Sequence, residues 1–412
     1  MSENTQYDKN AGSGMFERHY VKTIVDRISE TNNPLMQVVV GPRQTGKSTM
    51  LGQALAKIDT EQFFISADDA IVPSEEWLQV EWQQARNATR SGSRPVVLVV
   101  DEIQKVPHWS LVVKSLYDAD RRNDMPVRVV LSGSSSLLLH KGLEDSLMGR
   151  FELIHSPHWS YSECFQAFGF SFDDYLYYGG YPGAARFASD DARWISYIRE
   201  AIIEPTISQD VLALEDIRKP ALMRALFRLG AMYSAQELSY TKMLGQLQDA
   251  GNTVTVAHYL DLLDKAGMLC GIQKYDAKEV RRRKSSPRFM VYDTSLMTAS
   301  SGIEKSRYLG EPDLRGHLVE SAVGARLLAR ASEEGLGVYW WREGIKEVDF
   351  VVSKGFDSLS AIEVKSGKEK GQSGMADFLS AHPSAKRIVV GGAAAGACGV
   401  EEFLKDEVEL FY

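Results

Sequence analysis

The stretch Gly41-Pro42-Arg43-Gln44-Thr45-Gly46-Lys47-Ser48-Thr49 constrains this chain more than any other, because it directly follows the apolar run Met36-Gln37-Val38-Val39-Val40. Buried strand, glycine turn, then helix is the setting in which the spacing G-x-x-x-x-G-K-[ST] acquires meaning. The glycines let backbone N–H groups curl around a phosphate chain, and the start of the following helix adds dipole stabilisation for the same anion. Residues Gly41 to Thr49 are thus expected to cradle ATP, with Lys47 on the β- and γ-phosphates and the Ser48 hydroxyl on Mg2+. The loop demands a parallel α/β sheet with helices on both faces.

A second apolar run, Pro95-Val96-Val97-Leu98-Val99-Val100, ends in Asp101-Glu102. An unbroken aliphatic strand delivering carboxylates to its C-terminal edge is a central parallel strand. Asp101 is expected to hold Mg2+, and Glu102 is the residue type that polarises an attacking water. The strand Val127 to Leu131 then leads into Ser132-Gly133-Ser134-Ser135-Ser136, where Ser132 or Ser134 is placed to sense the γ-phosphate; spacing does not choose between them. A serine-rich turn capping the next helix is compatible with either. Arg150 precedes a short strand, Glu152 to Ile154, and is expected to reach a neighbour's nucleotide as an arginine finger in a homo-oligomer. The plainer reading pairs it with Glu144 or Asp145.

The order of these motifs resembles the prokaryotic AAA+-type ATPases that carry a C-terminal domain of unknown function. The resemblance rests on the loop at 41–49, Val-Asp-Glu-Ile-Gln-Lys-Val-Pro at 100–107, Leu-Ser-Gly-Ser-Ser-Ser at 131–136, Met-Gly-Arg at 148–150 and Gly-Gly-Tyr-Pro at 179–182. It implies ATP binding and an AAA+ core, and it carries no biological role. Ser48 stands where Thr is commoner in such proteins; both supply the hydroxyl.

Downstream the rhythm changes. Residues 169–219 read as a helical lid or linker, with a tyrosine cluster that packs a core. Helices over Pro220–Ala231 and Ser234–Leu244 and a third from Thr253 to Gly267 precede strands Met268–Tyr275 and Arg288–Tyr292, which together read as a winged helix over 220–300. Seven Lys/Arg against two acids between residues 271 and 290 give a local charge of +5, against −8 for the whole chain. Arg281, Arg282, Arg283 and Lys284 at the hairpin tip are the candidates for nonspecific DNA or RNA contact through phosphates. The third helix offers mostly apolar residues, so base readout is not expected. A solvated loop on a protein-packing module is the competing reading.

Over 310–412 the pattern is helix, three strands, helix, strand. Glu320 lies on the helix, Asp349 on the second strand, and Glu363 and Lys365 two apart on the third. This is the PD-(D/E)XK arrangement of restriction-endonuclease-like folds, and the resembled family's C-terminal domain shows the same residues. Residues two apart share a face of a strand, so Glu363 and Lys365 project together and Asp349 can join them. Glu320, Asp349 and Glu363 are expected to bind Mg2+ or Mn2+, and Lys365 to position a water. The competing reading is that Asp349, Glu363 and Lys365 form salt bridges on a mixed sheet. Val348 stands where the motif has Pro.

The remaining expectations concern setting. A chain of 412 residues carries two or three domains. Residues 1–20 are a polar, disordered lead-in without a signal-peptide pattern, and the ATPase core runs from 21 to 168. The three cysteines, Cys164, Cys270 and Cys398, are too scattered for a disulfide framework or a zinc site. Ile388 to Val400 is too short to cross a bilayer. A cytoplasmic protein without membrane contact follows.

Overall fold

The computed structural model describes residues 15–31, 35–91, 95–133, 146–211, 217, 219–247, 252–276, 286–355, 358–365, 372–393 and 395–412. The chain divides into two compact units, Met1–Ser156 and Pro157–Tyr412.

The first unit is a parallel sheet of β1 (Met36–Val40), β2 (Gln62–Ser66), β3 (Val96–Asp101), β4 (Val127–Gly133) and β5 (Phe151–His155) in the order β2-β3-β4-β1-β5. Both faces are covered, which is why β1 and β3 are apolar on consecutive positions except at Gln37 and Asp101. Val38, Leu98, Val100 and Leu131 pack against Trp82 of the helix Glu75–Ser91 and Val113 of the helix Trp109–Arg122. Val39, Val97, Val99 and Val130 pack against Ile24 of the helix Tyr20–Ile28 and Met50 and Leu51 of the helix Lys47–Leu55. Strand β4 lies between β1 and β3, so the end of β4 stands between the glycine loop and Asp101.

The second unit opens with the helices Tyr161–Phe168 and Phe172–Tyr178, each started by a serine capping box. The expected tyrosine core is present: Tyr175, Tyr177, Tyr178 and Tyr181 are buried. The Gly179-Gly180 pair lies against Asp293, whose Oδ2 accepts from the Gly180 N–H at 2.7 Å.

Helices Pro220–Met232 and Thr253–Lys265 form as expected, the latter capped by Asn252. The middle helix is shorter than predicted, Tyr240–Gln246. Ser239 caps it, and Ala235 before it adopts a left-handed φ of 64°, so the chain turns there and residues 235–238 pass beside the hairpin. There the Ala235 N–H donates to Phe289 O at 2.8 Å, and Glu237 bridges to Arg288.

Strands β6 (Leu269–Lys274) and β7 (Arg288–Val291) form the predicted antiparallel hairpin. The hairpin does not stand apart. β6 pairs in parallel with β8 (Gly337–Glu343), placing Gln273 beside Tyr339 and Lys274 beside Trp340. The sheet then continues through β9 (Lys346–Lys354) and β10 (Ser358–Lys365) to β12 (Lys386–Gly391), with the short β11 (Gln372–Ser373) on β9. The helices Pro312–Glu334 and Met375–Ala381 complete this part. The predicted hairpin and the predicted nuclease-like strands are therefore one mixed sheet.

Candidate functional site: a nucleotide loop and a neutralised acid cluster

In the first unit two backbone demands fix the loop. A side chain at Gly41 would lie 2.1 Å from the Ser156 carbonyl oxygen, and Gly46 sits at φ +87° at the entrance to the helix Lys47–Leu55. Only glycine meets both without strain. The loop closes on itself through Thr45 Oγ1, which donates to Pro42 O at 3.0 Å. Lys47 is 6% exposed, and its Nζ donates to Gly41 O at 3.0 Å and Pro42 O at 2.7 Å, which places its charge over the loop.

Opposite stands Asp101, 4% exposed at the end of β3. Its Oδ2 accepts from Ser48 Oγ at 2.6 Å, and its Oδ1 accepts from Ser132 Oγ and from the Glu102 N–H at 3.1 Å. Ser132 is thus the serine on the acidic strand's carboxylate, while Ser134 lies outside the described residues. Two hard oxygens, from Ser48 and Asp101, meet at the mouth of the loop and fit a magnesium ion bound with a nucleotide.

Glu102 leaves the strand at φ 52° and accepts from Gln104 Nε2 at 2.6 Å. Gln104 is a functional candidate that the sequence reading passed over. Its signal was its place two residues after Glu102; in the structure it sits in the short 3-10 turn Ile103–Lys105. Arg150 is held by Asp118, with Nε to Oδ1 at 2.7 Å and Nη2 to Oδ2 at 2.9 Å, and it also donates to Met148 O. Asp118, on the helix Trp109–Arg122, is the observed partner; Glu144 and Asp145 lie outside the described residues.

In the second unit the four motif residues sit on the predicted elements, and Glu363 and Lys365 share a face, joined by an ion pair of 2.7 Å. Asp349 Oδ2 accepts from the Val364 N–H at 2.8 Å, which fixes β9 to β10 at this point. The expected three-carboxylate metal group is not assembled. Among the described residues no three His, Cys, Asp or Glu are grouped to hold a metal.

The reason is Arg288, at the start of β7 and 3% exposed. Its Nη1 lies 3.3 Å from Glu320 Oε1 and 3.5 Å from Asp349 Oδ1, and also donates to Asp349 O at 3.2 Å. Its Nη2 lies 3.5 Å from Glu347 Oε1. Arg342 extends the network by bridging Glu347 Oε2 at 2.7 Å to Glu237. The residues do not fit a metal here, since a guanidinium stands where the ion would. Burial, with Glu347 and Glu363 nearby, pushes the Asp349 carboxyl above its ordinary range despite Arg288 and the Val364 N–H. The cluster borders a cavity of about 660 Å³ that also meets Lys242 and His317. The basic tip, Arg281 to Lys284, lies outside the described residues.

Residues 33–165, which hold the loop, Asp101 and Ser132, match the family described as AAA domain. The first unit carries an AAA-type P-loop ATPase domain. The match supports ATP binding and hydrolysis there, with magnesium as the accompanying ion. Residues 169–307 and 315–397 match two families each described as a domain of unknown function (DUF8612 and DUF4143). An uncharacterized protein of Haemophilus influenzae is 21% identical over 79% of this chain and 81% of its own length. One from Mycobacterium tuberculosis is 29% identical over 74% of this chain, which spans 64% of that relative. Among solved structures, a Walker-type ATPase of Pyrococcus abyssi is 13% identical and covers 70% of this chain and 97% of its own, with a TM-score of 0.48, too loose a likeness to argue from. Among the described residues no helix is long and apolar enough to cross a membrane.

Proposed function

We propose that this protein is an ATP-hydrolysing switch whose second unit binds nucleic acid without cutting it. The observation that carries the hydrolytic half is the chain Ser48–Asp101–Ser132 at the mouth of the glycine loop, with Glu102 next to it. Lys47 meets the phosphate charge. Ser48 and Asp101 would hold a magnesium ion, whose charge would offset that of the phosphates. Glu102 orients the attacking water and takes its proton, and Gln104 holds that carboxylate on one rotamer. Ser132 fixes Asp101 and stands where a γ-phosphate is read. Arg150 serves as a finger to a second copy of the chain once released from Asp118.

Support for nucleic acid as the partner is the basic run of residues 271–287, whose six Lys/Arg against two acids give +4 in a chain of net charge −8 once the buried Arg288 is left out. The second unit as a purely protein-binding scaffold is the rival, and the outcomes separate them. Lys47→Ala is expected to lose nucleotide binding, whereas Glu102→Gln binds ATP and turns it over at least about 100-fold more slowly. Wild-type turnover by Glu102→Gln overturns the assignment of the base. Replacing Arg281, Arg282, Arg283 and Lys284 together by Ala is expected to abolish salt-sensitive binding of labelled DNA and RNA. If the parent binds neither, the scaffold reading stands.

A further inference from the structure

In the second unit two carboxylates of the expected motif, Glu320 and Asp349, together with Glu347, face a fixed organic cation. We propose that Arg288 takes the place of the divalent metal in this cluster, and that its removal would open a latent metal site formed by Glu320, Asp349 and Glu347.

Three features carry this. First, Arg288 Nη1 lies between Glu320 and Asp349, at 3.3 Å and 3.5 Å, so an ion ligated by both carboxylates would have to occupy the same position. Second, the occupant cannot vacate by losing its proton, because a guanidinium stays charged at any pH a folded protein meets. Its strand is fixed as well: Arg288 is 3% exposed, β7 is buried along its whole length, and β7 pairs with β6 from Ile272–Arg288 to Leu269–Val291. Third, the carboxylates come from different elements, Glu320 from the helix Pro312–Glu334 and Glu347 and Asp349 from β9, so the guanidinium joins the hairpin to both. A dication would have to enter beside a fixed positive charge, with Arg342 adding a second through Glu347. The arrangement ties three carboxylates from two elements to one side chain without any ion.

The inference concerns the second unit alone and stands whether or not the first hydrolyses ATP. Its test is Mn2+ titration of the full chain, free of nucleotide and carrying Lys47→Ala to silence the loop, followed by calorimetry and by the spin-resonance signal of free Mn2+. The parent is expected to show no saturable uptake below about 1 mM. Adding Arg288→Met, which keeps the length and removes the charge, is expected to create a saturable site, and adding Asp349→Asn to that variant to remove it. Saturable uptake by the parent that Asp349→Asn abolishes overturns the proposal, as does a folded Arg288→Met protein that gains no site. Should Arg288→Met not fold, the parent and its Asp349→Asn derivative still decide whether the cluster takes a metal.

Discussion

Asp101 and Asp349 are both carboxylates on buried strands, each beside a second acidic residue, and they differ in what answers their charge. Asp101 is held by the hydroxyls of Ser48 and Ser132, neutral donors that leave its negative charge uncancelled at the mouth of a phosphate loop. Asp349 faces the Arg288 guanidinium, which it shares with Glu320 and Glu347. A carboxylate bound by dipoles remains available to a cation. One bound by a buried cation has become part of the scaffold.

The sharpest way to break this comparison is to remove the central charge from each site. Asp101→Asn is expected to lower ATP turnover by about 100-fold or more, while the unfolding free energy moves by no more than about 1 kcal/mol. Arg288→Ala is expected to do the reverse, costing about 3–5 kcal/mol by stranding three carboxylates, with nucleotide affinity unchanged. Urea unfolding and a turnover assay on both variants suffice. A stable Arg288→Ala protein would remove the contrast.

A third carboxylate sharpens it. Asp264 is answered by a neutral partner, the Tyr292 hydroxyl at 2.5 Å, and burial pushes its pKa from 3.8 up to about 6. Because the folded value is the higher one, its favourable contribution is complete below the ordinary value and is lost as pH rises through 6. Unfolding free energy should therefore fall between about pH 4 and 6, and Asp264→Asn should flatten that slope and add about 1–2 kcal/mol at pH 7. A slope unchanged by the substitution would mean that another group titrates there.

The smallest expected effect on stability is at Arg150. Its pair with Asp118 is about one-third exposed on each side, at 31% and 29%, so Arg150→Ala should cost no more than about 1 kcal/mol. The same variant tests the finger. Turnover falling by about 10³ supports transfer of Arg150 to a neighbouring copy, and unchanged turnover leaves it as a surface ion pair.

What was legible in the sequence follows from how local each signal is. The loop at 41–49 and the strands 36–40 and 96–101 announce themselves by contiguous residues, since a strand buried on both faces is apolar throughout. Glu363 and Lys365 sharing a face follows from a period of two. The turn at 235–238 was hidden, because nothing in the residue pattern marks Ala235 as left-handed or Ser239 as the point where the helix starts afresh. Arg288 was hidden more deeply. By composition it belongs to a basic run, and only strand pairing separated by tens of residues reveals that it points inward to Glu320 and Asp349. Sequence patterns name the ligands of a site, but the residue that neutralises them can come from anywhere in the chain.

Strand β6 pairs with β7 on one side and β8 on the other, and this decides how the protein can be taken apart. A fragment beginning near residue 310, where the motifs suggest a boundary, would bare the edge of β8 that β6 covers, at Tyr339 and Trp340, to any passing strand. It would also lose Arg288 and leave its acids facing one another. Such a piece should precipitate or pair with itself, whereas a cut between Ser156 and Pro157 severs no strand.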